Sequence, residues 1–167
     1  MSKVPSNGEA GGLARELLGG DVNTVSRFLF ELDGVAIGVF REVSGLQVTV
    51  AVEEISEGGQ NSHTHKVPGR MSWPNVVFKR GVTQSNELFD WLNASSGEGF
   101  AAAGNRVQRR SGAITALSGD GKRLRAWELI DVFPVSWKGP SFSAGSNDPL
   151  EEELEISHHG FRAKTLS

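Results

Sequence analysis

From Arg27 onward, apolar and polar positions alternate with a period of two along most of the chain, the pattern of strands that bury one face. Phe28, Phe30 and Leu32 fall on one side of a first strand, Asp33-Gly34 supplies a two-residue turn, and residues 35–40 form the expected hairpin partner. Leu46, Val48, Val50 and Val52 alternate strictly with Gln47, Thr49, Ala51 and Glu53, which predicts the best-defined half-buried strand of the chain. Residues 56–69 (SEGGQNSHTHKVPG) read as a long polar loop, a length that inside a compact domain points to a binding loop or a mobile one. Another strand is expected over residues 73–80. The period changes over residues 85–93, where Leu88, Trp91 and Leu92 make an apolar stripe with Phe89 beside it, so a helix is predicted with Ser85 as its cap and Glu87 complementing the dipole. Residues 94–104 read as a small-residue loop.

Beyond it, residues 113–117 and 124–129 predict a hairpin around Gly119-Asp120-Gly121-Lys122, and residues 127–137 continue as a strand that Pro134 confines to an edge or a bulge. The last strand, residues 150–157, sets Leu150, Glu152, Leu154 and Ile156 against Glu151, Glu153 and Glu155. The fold class that follows is mainly β, an antiparallel β-barrel with one flanking α-helix. Residues 1–25, rich in Gly, Ser, Ala and Glu with one short helical turn at Leu13, Leu17 and Leu18, read as an N-terminal extension that is flexible or ordered by neighbours. Residues 26–167 make the barrel domain.

Composition narrows the function classes. The 167 residues suit a single domain with a sizeable core. A net charge of −3 gives no support to attraction by nucleic acid or acidic membranes. No cysteine is present, which removes disulfide and thiol chemistry. No run approaches the length of a membrane span and the N-terminus lacks an apolar signal region, so no membrane anchor and cytoplasmic synthesis are expected. The 21 glycines are scattered singly, as many tight corners between strands require.

Candidate chemistry is sparse. His63-Thr64-His65 and His158-His159 could meet as metal ligands, but neither pair has the helical spacing of a zinc-hydrolase motif and there is no cysteine to join them. Glu53, Glu54 and Glu57, and again Glu151, Glu152, Glu153 and Glu155, form acidic stretches that read as solvated strand faces rather than as a carboxylate site. Gly119-Asp120-Gly121 does not precede a helix, so it is no dinucleotide loop. Arg106, Arg109 and Arg110 are the basic cluster, read as a solvated or intersubunit patch before a phosphate site. No catalytic, cofactor-binding or metal-binding residue is assigned, and no cofactor. Trp137, between Pro134 and Gly139-Pro140, is expected in the core or an interface, locking a bent strand.

The order of short motifs carries a resemblance. Phe28-x-Phe30-x-Leu32-Asp33-Gly34 is followed by Gly38-x-Phe40-x-Glu42-Val43-Ser44-Gly45-Leu46, Glu57-Gly58-Gly59-x-Asn61 and Lys66-x-Pro68-Gly69. Then come Lys79-Arg80-Gly81-Val82-Thr83, Leu88-x-x-Trp91, Arg109-Arg110, Asp120-Gly121, Trp127, Pro134-x-x-Trp137-x-Gly139-Pro140 and Glu153-Leu154-Glu155-Ile156-x-His158-x-Gly160. Together they resemble the tail tube proteins of contractile phages and of phage-tail-like extracellular contractile injection systems. The resemblance implies a structural protein and not an enzyme, with a fold similar to the secreted ring protein of type VI secretion. It implies a homo-hexamer stacked into a tube, a sheath protein around it, baseplate and cap proteins at its ends, protein cargo in its lumen, and a place in a particle that can be released. Residues 56–69 resemble the family's inter-ring loop. Two alternatives stand beside this reading: a tube-initiator copy at the baseplate, and a small-ligand-binding β-barrel that would need an apolar cavity.

Overall fold

The computed structural model describes residues 24–164 except 57, 60–63, 103, 105, 107, 142–144 and 146. The N-terminal extension expected over residues 1–25 therefore lies almost wholly outside the described residues, as does His63. In chain order the elements are β1 (Val25–Leu32), β2 (Val35–Phe40), β3 (Glu42–Ser44), β4 (Thr49–Ile55), β5 (His65–Ser72), β6 (Val76–Gly81), α1 (Glu87–Ala94), α2 (Gly97–Ala102), β7 (Arg110–Ser118), β8 (Arg123–Lys138), β9 (Glu151–Ser157) and β10 (Phe161–Lys164).

Eight strands form one antiparallel sheet in the order β2-β1-β7-β8-β9-β6-β3, with β10 on β8. No ladder joins β2 to β6, so the sheet is not closed by hydrogen bonds all round. Its two ends nevertheless belong to one run of chain, because β2 passes through Arg41 directly into β3, whose Glu42, Val43 and Ser44 pair with Lys79, Phe78 and Val77 of β6. The Arg41 amide donates to the Lys79 carbonyl at 2.9 Å at this crossover. The sheet thus curls around a single core, which is how an antiparallel all-β chain removes free edges.

The local reasons are readable. Leu32 pairs with Val35 across Asp33 and Gly34, whose φ angles of 49° and 81° form the left-handed turn that matches strand twist. Asp33 also accepts the Ser111 amide at 3.1 Å, which fixes β7 beside the turn. β8, 16 residues long, changes partner along its length: β7 and β10 flank its first part, β9 its last. Its register with β9 shifts between Pro134 and Ser136, where the missing proline N–H makes a bulge the low-cost solution. Inside, Phe30 lies 4.7 Å from Phe78 and 5.9 Å from Trp91 between ring centroids, and Phe40 lies 4.9 Å from Phe78. α1 contributes Leu88 and Trp91 to this cluster. The space a ligand-binding barrel needs is therefore filled by side chains.

The structure departs from the sequence expectations in several places. The strand expected from Leu46, Val48, Val50 and Val52 is not half-buried: β4 is exposed along its whole length and pairs only with β5 in a separate two-stranded ribbon. The expected loop over residues 56–69 gives way at His65 to strand β5, with Pro68 opposite Val52. Proline is tolerated there because, among the described residues, the outer edge of β5 has no partner strand. α1 begins at Glu87 with Asn86 at the cap position and no side-chain cap bond, while the Ser85 hydroxyl donates to the Glu87 carboxylate instead. Residues 94–104 hold the short helix α2. The β7–β8 turn is longer than a two-residue hairpin, and within it Gly121 has the positive φ of 85°. Strands β3 and β10 had no sequence signal of their own.

Candidate functional site

Among the described residues the candidate ligands are not gathered. His65 opens β5 on the exposed ribbon, whereas His158 is buried at the end of β9, its Nε2 3.2 Å from the Pro74 carbonyl and its Nδ1 accepting the Gly160 amide at 3.1 Å. His159 is exposed and meets Asp131 at 3.1 Å, with Arg109 beside both at 3.4 and 4.0 Å. Among the described residues no group of three His, Asp or Glu side chains could hold a metal ion. Of the arginine cluster, Arg109 joins this group and Arg110 reaches Asp33 at 3.8 Å. Arg109 and Arg110 thus engage separate acidic partners.

The acidic strand β9 splits by face. Glu151 pairs with Arg41, Glu153 with Lys138 at 2.9 Å, and Glu155 accepts from Asn75 at 2.8 Å and Ser136 at 3.1 Å. Hydrogen bonds from Asn75 and Ser136 hold Glu155 below its ordinary carboxylate value, and the hydrogen bond to Glu153 raises Lys138. These groups cross-link neighbouring strands. Glu152 corrects the solvated-face reading: it points inward, directly opposite Arg80 of β6, and both side chains are buried in an ion pair. The Trp137 indole N–H donates to the other Glu152 oxygen at 3.2 Å.

Trp137 is not a core residue. It is 37% exposed, packs edge-on against Phe89 at 5.0 Å, and lies so close over Gly139 that a Cβ there would meet its ring at 2.7 Å. Trp137→Ala is expected to cost about 1–3 kcal/mol, from the lost aromatic pair and the hydrogen bond to a charged acceptor. That is below the roughly 3–5 kcal/mol of a buried aromatic. The urea midpoint beside the unaltered protein measures it, and a loss of core size would put the indole in a more buried place than the one seen.

What sequence reasoning missed is a surface. The β4–β5 ribbon lies in a sheet of its own, with Val50 41%, Val52 61% and, opposite Val50, Met71 50% exposed. A two-stranded ribbon of this kind is marginal by itself in water, and a contiguous apolar patch marks an interaction site. The signal was present in the alternation of β4, which reports a one-sided apolar strand whatever covers it.

Filled core, curled antiparallel sheet and an uncovered apolar ribbon define a β-module whose unspent features are surfaces for association. Residues 24–162 match the family model described as T4-like virus tail tube protein gp19, and the chain belongs to that family. No curated protein matches the sequence. Among solved structures, a chain of the PVC extracellular contractile injection system sheath–tube complex in its extended state is 25% identical, with a TM-score of 0.71 over 98% of this chain and 100% of that one. A chain of the PVC sheath/tube terminator in the extended state is 28% identical, with a TM-score of 0.68 over 85% and 96%. A chain of the anti-feeding prophage tube-terminating cap is 26% identical, with a TM-score of 0.68 over 86% and 91%. The chain is an inner-tube subunit of a contractile injection system.

Proposed function

We propose that copies of this chain close into hexameric rings, that the rings stack into a hollow tube, and that contraction of a surrounding sheath drives the tube through a target envelope. The observation that carries this reading is the β4–β5 ribbon, a pair of strands that none of the described residues covers. Stacking identical rings covers such a face in every subunit at once, through one contact repeated along the axis. The likeness to chains of a sheath–tube complex and of a tube-terminating cap supports a sheath protein outside and cap and baseplate proteins at the ends. Protein cargo occupies the lumen. Residues 1–25 form an extension separate from the tube domain over 26–167. Synthesis and assembly are cytoplasmic, the particle then being released, and the subunit acts by assembly, without catalysis or a cofactor.

Mass photometry and negative-stain microscopy test this. The purified protein is expected to form hexameric rings and, when concentrated, tubes. Val52→Asp places a charge on the ribbon, touches no core residue, and is expected to leave the melting temperature unchanged while tubes are lost. Only monomer and dimer under all conditions, with no rings in particles, would overturn the reading.

A further inference from the structure

The inward row of β9 does not end with the strand. Glu152, Leu154 and Ile156 point into the core, and His158 continues the same alternation past Ser157, only 4% exposed. Two ionisable groups therefore stand on this row, one towards each end. Glu152 has a counter-charge in Arg80. His158 has none among the described residues: both of its ring nitrogens are taken by uncharged backbone groups.

Those two bonds have opposite polarity. Nδ1 lies 3.1 Å from the Gly160 amide, which can only donate, so this nitrogen presents a lone pair. Nε2 lies 3.2 Å from the Pro74 carbonyl, which can only accept, so this nitrogen carries the proton. The surroundings fit one species, the neutral Nε2–H imidazole. A proton added at Nδ1 would face the Gly160 N–H, donor against donor, and leave that amide without its acceptor. It would also bury a cation with no anion beside it.

The charged groups on the surrounding elements are committed elsewhere. On β9 itself Glu155 is held by Asn75 and Ser136. In the turn after β9, His159 meets Asp131 of β8 and Arg109. On β10, Phe161 packs against the His158 ring at 6.1 Å between centroids, and Arg162 binds Glu128. The corner between β5 and β6, residues 73–75, supplies no ionisable side chain. That corner is where the chain leaves the ribbon for the sheet, and three contacts hold it. Pro74 is bonded to His158, Asn75 donates to Glu155 at 2.8 Å, and the Trp73 ring lies 3.3 Å from where a Cβ on Gly160 would stand. The corner and the β9–β10 turn are thus clasped together, with the His158 ring bonded to both.

We propose that His158 is a proton-sensitive latch. Neutral, it clasps the corner at residues 73–75 to the β9–β10 turn; protonated, it lets the two part while the sheet stays folded. The device belongs to the single subunit and does not depend on assembly. Its sign follows from linkage: the latched form excludes a proton that the opened form takes up. The latch is therefore closed above the ordinary imidazole range, about 6.5, and its contribution is lost as pH falls.

Nitrogen NMR of the protein carrying isotope-labelled histidine reads the tautomer with no substitution at all. Near neutral pH, His158 is expected to show a bare Nδ1 and a protonated Nε2. Acidification to about pH 5 should protonate Nδ1 and, in the same step, cut the hydrogen-exchange protection of the Gly160 amide about tenfold, while Phe78 in the core stays protected. His158→Gln cannot take the proton, so over the same interval its melting temperature should fall less than the parent's, by about 4 °C or more. His159→Gln should behave as the parent does, which separates the latch from its exposed neighbour. Should His158→Gln fail to fold, the NMR and exchange measurements on the unaltered protein decide alone. An Nδ1–H or doubly protonated ring near neutral pH, Gly160 protection that persists once Nδ1 is protonated, or a folded His158→Gln protein as acid-sensitive as its parent would overturn the latch.

Discussion

Glu152→Ala is expected to lower stability by about 3–5 kcal/mol, because it strands a guanidinium in the core. Arg80 and Glu152 are direct cross-strand partners in the β6–β9 ladder, with side chains only 4% and 5% exposed. Glu152 satisfies Arg80 Nε with one oxygen and the Trp137 indole with the other. Removing it leaves one buried charge and one indole N–H without an acceptor, against a total stability of about 5–15 kcal/mol for a domain of this kind. The loss belongs to breaking the pair and not to the pair's net worth. An Arg80→Met, Glu152→Leu double variant, which removes both charges and keeps the volume, should therefore lose less than Glu152→Ala alone. Urea midpoints of the two variants and the parent decide it. An unchanged midpoint for Glu152→Ala, or a double variant worse than the single, would mean that the buried charge is compensated by something else.

The ion pair also shows how far the sequence could be read. Period-two alternation located β1, β2, β7, β8 and β9 because the core of this same chain covers one face of each, and a covered face is what alternation records. In β9 the alternation had already set Glu152 on the side of Leu154 and Ile156, and in β6 the spacing of Val76, Phe78 and Arg80 sets the arginine inward in the same way. A charged residue at an inward position on each of two strands is the signal for a buried pair. Reading it as one required the register between strands 72 positions apart, which no local pattern contains. β4 failed for the opposite reason. Its alternation is as regular as that of β1, but no element among the described residues covers it, so the inference from apolar stripe to burial does not hold there. Pro68 and Gly69 added to the error, since both read as turn residues until a free strand edge is known to accommodate them.

Gly45→Ala is expected to lower stability by about 2–5 kcal/mol, from backbone conformation and a backbone clash together. Gly45 follows β3 at the corner where the chain leaves the sheet for the ribbon, with φ at 83°. A side chain in that left-handed conformation costs about 1–2 kcal/mol by itself. An added Cβ would also overlap the Asn75 carbonyl oxygen and sit 3.4 Å from the Val76 Cα, and backbone does not yield as a side-chain tip does. Forcing it aside adds about 1–3 kcal/mol, the cost of overpacking. Displacing Asn75 further disturbs its 2.8 Å bond to Glu155, which ties the start of β6 to β9. The control is Gly34→Ala, where φ is 81° but nothing lies within 4 Å of the added Cβ, so that only the conformational cost remains. Urea midpoints should fall for both variants and fall further for Gly45→Ala, the difference measuring the clash with Asn75. The corner also aims the ribbon, so tubes should disappear from Gly45→Ala even at temperatures where its circular dichroism is still that of the folded sheet. Equal losses for the two glycines, with tubes intact in both, would show that the Asn75 contact neither supports the fold nor directs the ribbon.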